Sequence, residues 1–126
     1  MGAAQAVREG NREENGNMLV MTRAIVVEKG HADKVIERFS GPSKFDGREG
    51  LVDVNVMVNK RTKEHDEVLV VIRWESEEAW KAWEKSPEHI QGHRDSKGQQ
   101  PPEYIISTTV NLYDVKAVKQ GPASQG

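Results

Sequence analysis

The chain has 126 residues, 36% hydrophobic and 30% charged, and its 18 Lys and Arg against 20 Asp and Glu leave a formal net charge of −2. That length predicts one domain with an ordinary core, and the near-neutral balance argues against nucleic acid as a partner. The absence of cysteine excludes disulfides, thiolate metal centres and a cysteine nucleophile, and no apolar run approaches the ~18 residues of a membrane span or the core of a secretory leader. The expectation is a soluble cytoplasmic protein without membrane association.

Residues 1–17 (MGAAQAVREGNREENGN) carry Gly, Asn and mixed charge with almost nothing apolar, which predicts a disordered extension or a remnant of expression. The folded domain is expected over residues 18–118, with 119–126 (KQGPASQG) as a flexible tail. Leu19–Glu28 (LVMTRAIVVE) is rich in Val and Ile and alternates, the pattern of a strand. Lys29-Gly30 breaks it. From His31 onward, Ala32, Val35, Ile36 and Phe39 recur at helical spacing until Gly41-Pro42.

Leu51–Asn59 (LVDVNVMVN) predicts a second strand with Val52, Val54, Val56 and Val58 on one face. The charged run KRTKEHD suits a solvated hairpin loop, and Glu67–Trp74 (EVLVVIRW) returns as a nearly continuous apolar strand. Ser76 is a candidate helix cap, with Glu77 and Glu78 at the positive end and Ala79, Trp80 and Trp83 along one face. Ser86-Pro87 restarts a helix that is expected to run to about Lys97, where Gly98 stops it. Tyr104–Val115 reads as the last strand.

The order β-α-β-β-α-β, its second helix in two segments, is the signature of a ferredoxin-like α+β fold with an antiparallel sheet. In the third strand Val68, Val70, Ile72 and Trp74 alternate with Leu69 and Val71, so both faces are apolar. Helices can cover one face. A second copy of the sheet is the simplest cover for the other, which predicts a two-fold homodimer.

No G-x-G-x-x-G, Walker loop or G-x-S-x-G occurs, so the usual nucleotide and hydrolase signals are missing. Of the four histidines, His31 at a helix start and His65 in the charged loop are expected to be solvated. His89 and His93 are four apart on a helix and share a face. Spacing alone leaves three roles open for them. They can be a divalent-metal pair, which would need a third ligand to make a zinc site. His93 can be the axial ligand of a haem iron, on the face it shares with Ile90. Either ring can be held in a structural hydrogen bond. Trp74 and Trp80 read as core, and Trp83 as core or as an indole wall for a flat ligand.

The stretch 72–94 (IRWESEEAWKAWEKSPEHIQGHR) combines a strand end in Trp-Glu-Ser, a W-x-x-W helix, Lys-Ser, and a histidine ten residues after the second tryptophan. With KGHADKVIERFS before it and YIISTTVNLYDVKAVK after it, the chain resembles the IsdG/HmoA family of haem-degrading monooxygenases, within the antibiotic-biosynthesis-monooxygenase-like superfamily and nearest its HmoA branch. The resemblance implies a homodimer whose sheets form a dimeric α+β barrel, with a haem cleft between helices and sheet in each subunit. It implies that haem is both substrate and oxygen-activating group, that dioxygen and an external electron donor are consumed, and that ring opening frees the iron. It implies that His93 is the axial ligand of the haem iron and that Trp83 packs against the porphyrin and helps to ruffle it.

Where better-known members carry an asparagine on the first strand, this chain has Arg23, a fixed cation with no acceptor. Pairing with a haem propionate, pairing with the dimer partner and facing solvent all stand open for it, and the asparagine's role is not carried over. Two other functions are also weighed. One is a non-catalytic haem-binding or haem-buffering dimer. The other is a cofactor-free monooxygenase acting on a quinol or polyketide, in which His89 and His93 would serve as acid and base.

Overall fold

The computed structural model describes residues 18–43 and 45–125. The extension expected over residues 1–17 lies outside them. The element order is β1 (Leu19–Glu28), α1 (Ala32–Ser40), β2 (Leu51–Val58), β3 (His65–Trp74), α2 (Glu77–Glu84), α3 (Pro87–Ser96) and β4 (Ile105–Asp114), followed by a 3-10 turn at Pro122–Gln125. The four strands form one antiparallel sheet in the order β2-β3-β1-β4, as the ferredoxin-like pattern predicts. Among the described residues no helix is long and apolar enough to cross a membrane.

Strand parity builds the core. On β1, Leu19, Met21, Ile25 and Val27 are buried, and on β3 the same holds for Val68, Val70, Ile72 and Trp74. The two sets pair across the ladder, Leu19 with Trp74 and Ile25 with Val68, so they line one inner face. Val35 of α1 and Trp83 of α2 close over it. Helix α1 packs on β2 and β3, and α2 on β3. The opposite face carries Val20, Ala24 and Val26 of β1 with Leu69 and Val71 of β3, all half-buried.

Three expectations are corrected. Strand β3 begins at His65 rather than Glu67, because the ladder with β1 continues through Val27–Asp66 and Glu28–His65. The backbone bonds of a ladder accept polar side chains, so the charged run did not mark its end; His65 is half-buried on the strand. Val52 leaves the row of Val54, Val56 and Val58, because a bulge between Leu51 and Asp53 turns it outward, 46% exposed. His31 is not solvated either. Its ring stacks on Tyr104 at 5.1 Å and 7°, and its Nδ1 is buried without a hydrogen-bond partner.

Two contacts fix the helices that matter for the site. Ser76 caps α2 by accepting from the Ala79 amide at 3.1 Å, which satisfies one of the orphan donors of the first turn. Just before β2, Gly50 sits at φ +87°, and a Cβ there would lie 2.4 Å from that of Ala79. Only glycine accepts both the left-handed backbone and the close approach.

Candidate functional site

Helix α2 carries Trp83 into the core, 5% exposed. Phe45 tilts against its ring at 4.8 Å and 44° and reaches Trp74 edge-on at 6.1 Å. The Arg48 guanidinium lies over the same indole at 4.8 Å, a cation–π contact. The His89 ring meets it edge-on at 4.9 Å and 65°. Phe45 and Arg48 come from the loop before β2. Sequence reading did not single them out, because a loop residue has no period to reveal what it will touch.

The chain turns sharply between α2 and α3 at Ser86. Its hydroxyl donates to the Trp83 carbonyl at 2.7 Å and accepts from the His89 amide at 3.2 Å, while Pro87 occupies the first turn of α3. This joint sets Trp83 of one helix against His89 of the next. One turn on, the His93 ring stands 4.5 Å from that of His89 at 77°, with the two Nε2 atoms 3.0 Å apart. Glu84 Oε2 lies 3.4 Å from His89 Nε2. Trp83, His89 and His93 are thus brought together, with Glu84 at the end of the series.

His93 is exposed on α3, and Ile90 beside it is 43% exposed. The face they share therefore looks outward from this chain's core rather than into it. Among the described residues no group of three or more His, Cys, Asp or Glu is placed to hold a metal ion, so the imidazole pair has no third ligand for a zinc-type centre. Trp74 is fully buried and Trp80 half-buried against the core, as expected of packing residues; the indole N–H of each lacks an acceptor among the described residues.

The helices cover β2 and β3 and leave the inner face of β4 open. There Val110 and Leu112 are 47% and 45% exposed, opposite Arg23 and Met21 of β1. Arg23 lies half-buried in the inner row of the central strand, between buried Met21 and Ile25. Its Nε is buried without a partner. Burial and the neighbouring Arg38 cation hold the Arg23 guanidinium below its ordinary pKa.

The structure offers an apolar strip of sheet with a cation in its floor and, on α3, an exposed imidazole whose neighbours are His89 and Trp83. It suits a flat, largely apolar ligand that bears negative charge and accepts a nitrogen ligand.

The family described as antibiotic biosynthesis monooxygenase matches residues 18–95. The haem-degrading monooxygenase HmoA of Bacillus subtilis is 51% identical over 108 residues, covering 86% of this chain and all of that protein. A haem-degrading monooxygenase of Halalkalibacterium halodurans is 37% identical over 105 residues, 83% of this chain and 87% of its own length. Among solved structures, an antibiotic biosynthesis monooxygenase from Bacillus cereus superposes with a TM-score of 0.73 at 40% identity, covering 84% of this chain and 100% of that one.

Proposed function

Since the chain belongs to the antibiotic biosynthesis monooxygenase family, in its IsdG/HmoA branch, we propose that it is a haem-degrading monooxygenase that binds haem, opens the porphyrin ring and releases the iron. The observation that carries this reading is the Trp83–His93 constellation. An exposed imidazole stands ten residues after a tryptophan that Phe45, Arg48 and His89 hold in place. Haem, once bound, supplies both the redox iron and the macrocycle to be hydroxylated, and draws on dioxygen and an external electron donor.

The residues of this chain bind and orient. His93 offers a ring nitrogen to the iron, and taking it by Nε2 requires His93 to part from His89 Nε2. His89 then remains beside Glu84 Oε2 and against Trp83, so the released ring keeps two of its neighbours. Trp83 is immobilised on several sides and forms the rigid flank against which a porphyrin can be distorted. The open strip of Val110 and Leu112 offers apolar contact to the macrocycle. A second copy of the chain covers the outer sheet face of Leu69 and Val71, completing a dimeric α+β barrel, and the domain spanning 18–118 works in the cytoplasm.

The test is a haem titration of the purified protein, then ascorbate in air with catalase and an iron chelator present. The expected result is a saturating one-to-one Soret shift that decays as chelated iron appears, and a changed ligand-field spectrum in His93→Ala. Unchanged spectrum and turnover in that variant would overturn the assignment of His93. Bound haem that survives reductant and oxygen would point to the haem-buffering dimer. No shift at all would leave the cofactor-free monooxygenase acting on an organic substrate.

A further inference from the structure

We propose that Arg23, in the inner row of the sheet beside the open strip of β4, is an anion-recognition site, which receives a negatively charged oxygen of the ligand. The identity of that ligand as haem rests on the function proposed above; the existence of the anion site does not.

A guanidinium has five donors and no acceptor, and buried charges are ordinarily paired. Arg23 is half-buried and departs from that rule at its Nε. Its cross-strand neighbours on the inner face are Val70 and Val110, and its neighbours along the strand are Met21 and Ile25; none has a side chain that can accept from it as a carboxylate would. Among the described residues no carboxylate pairs with it, and its Nε is buried without a partner. The charge that acts on it is a second cation, Arg38, whose own guanidinium lies over Phe39 at 5.1 Å.

The site is reachable, because Val110 beside Arg23 is half-exposed and β4 is exposed throughout beyond Ile105. A carboxylate from a second copy is a poor source for the missing anion. The second copy covers the outer face, and strand parity turns Arg23 to the inner one. An anion carried in by the ligand is the remaining source. For a porphyrin that anion is a side-chain carboxylate or a small anion on the face of the ring that meets the sheet.

The experiment compares the full chain with Arg23→Met, which keeps length and loses charge, and Arg23→Lys, which keeps charge. Ligand-free Arg23→Met should have a higher thermal midpoint than the parent, because a half-buried charge without a carboxylate partner is gone; a merely structural arginine would give a lower one. Tryptophan quenching is then titrated with protoporphyrin IX and with its dimethyl ester, and the ferric haem complex with azide. A charge-assisted hydrogen bond corresponds to about tenfold or more in affinity. If the anion is a porphyrin carboxylate, the parent prefers the free acid by about tenfold and Arg23→Met loses that preference. If it is a small anion, azide binding weakens about tenfold in Arg23→Met with the ester preference intact. In either case Arg23→Lys recovers most of the effect.

Both quantities staying within about twofold of the parent would overturn the proposal, and so would a lower midpoint of ligand-free Arg23→Met. If the parent binds no porphyrin, the haem reading fails by itself. The anion site is then decided by inorganic phosphate at constant ionic strength. A midpoint rise in the parent that is lost in Arg23→Met supports it, and no rise in the parent overturns it.

Discussion

The Nε2 atoms of His89 and His93 face each other at 3.0 Å, so a ligand that takes His93 by Nε2 must displace His89. One ring must donate and the other accept in such a contact. Removing the competitor should therefore favour the ligand. In His89→Ala we expect the haem spectrum of the parent with affinity raised about fivefold, the equivalent of a net hydrogen bond of ~1 kcal/mol. A Soret titration measures it; weaker binding would show that His89 supports His93 rather than competing for it.

Trp83 is a core residue before it is anything else. Emptying its site in Trp83→Ala should cost ~3–5 kcal/mol, a large fraction of the stability of any domain this size. Loss of turnover in that variant would then report unfolding. Trp83→Phe keeps an aromatic ring against Phe45 and is expected to cost much less, roughly 1–2 kcal/mol. Urea melts of the two variants check the order, and only a change in ring-opening product or rate in Trp83→Phe, at intact stability, speaks to the flank role.

Gly50→Ala should be destabilising out of proportion to one methyl group. The left-handed backbone alone costs ~1–3 kcal/mol for a non-glycine residue, and the new Cβ would meet Ala79 at 2.4 Å. We expect at least about 2 kcal/mol in urea. Adding Ala79→Gly should return the steric part but not the backbone part. Full recovery in the double variant would show that φ contributes nothing.

On the outer face Arg73 makes a bidentate pair with Asp53, and the hydrogen bond from Arg73 is the main cause holding the Asp53 carboxyl below its ordinary value. A depressed folded pKa stabilises above the unfolded value near pH 3.8, and that contribution fades as pH falls through the lower folded value. Both side chains are well exposed on the single chain, where screening limits the pair to ~0.5 kcal/mol. Asp53→Asn should lower the denaturation midpoint slightly at pH 7 and leave it unchanged near pH 2, at matched salt. A difference that grows on acidification would reverse the sign.

Leu69 and Val71 present an apolar outer face with no helix over it. Val71→Glu places a charge at its centre and should convert the proposed dimer to monomer, seen in sedimentation equilibrium as half the mass of the parent. Persistence of the parent mass would move the interface elsewhere.

Much of this was legible in the residues. The alternation of LVMTRAIVVE and EVLVVIRW places the inner rows correctly, because a period of two is a local property. The Ser76 and Ser86 caps were readable for the same reason. What could not be read is what depends on distant partners. The bulge that turns Val52 outward is a ladder property, and the stack of His31 on Tyr104 joins residues far apart in the chain. Phe45 and Arg48 around Trp83 belong to a loop without a pattern. Arg23 lies between these cases. Parity puts it in an apolar row, but only the register with Val70 and Val110 shows how little is there to receive it.

The Ser86 joint has a consequence for assembly. Trp83, Ser86, His89 and His93 all fall within one short segment and touch through contacts of neighbouring turns. The joint itself closes no long loop, whereas Trp83 depends on Phe45, Arg48 and the sheet it covers. Arg23 and the β4 strip meet across strands from opposite ends of the chain, the contacts with the largest closure entropy. Damage to the sheet should therefore dissolve the floor of the site and unseat Trp83, leaving only the local contacts of the Ser86 joint.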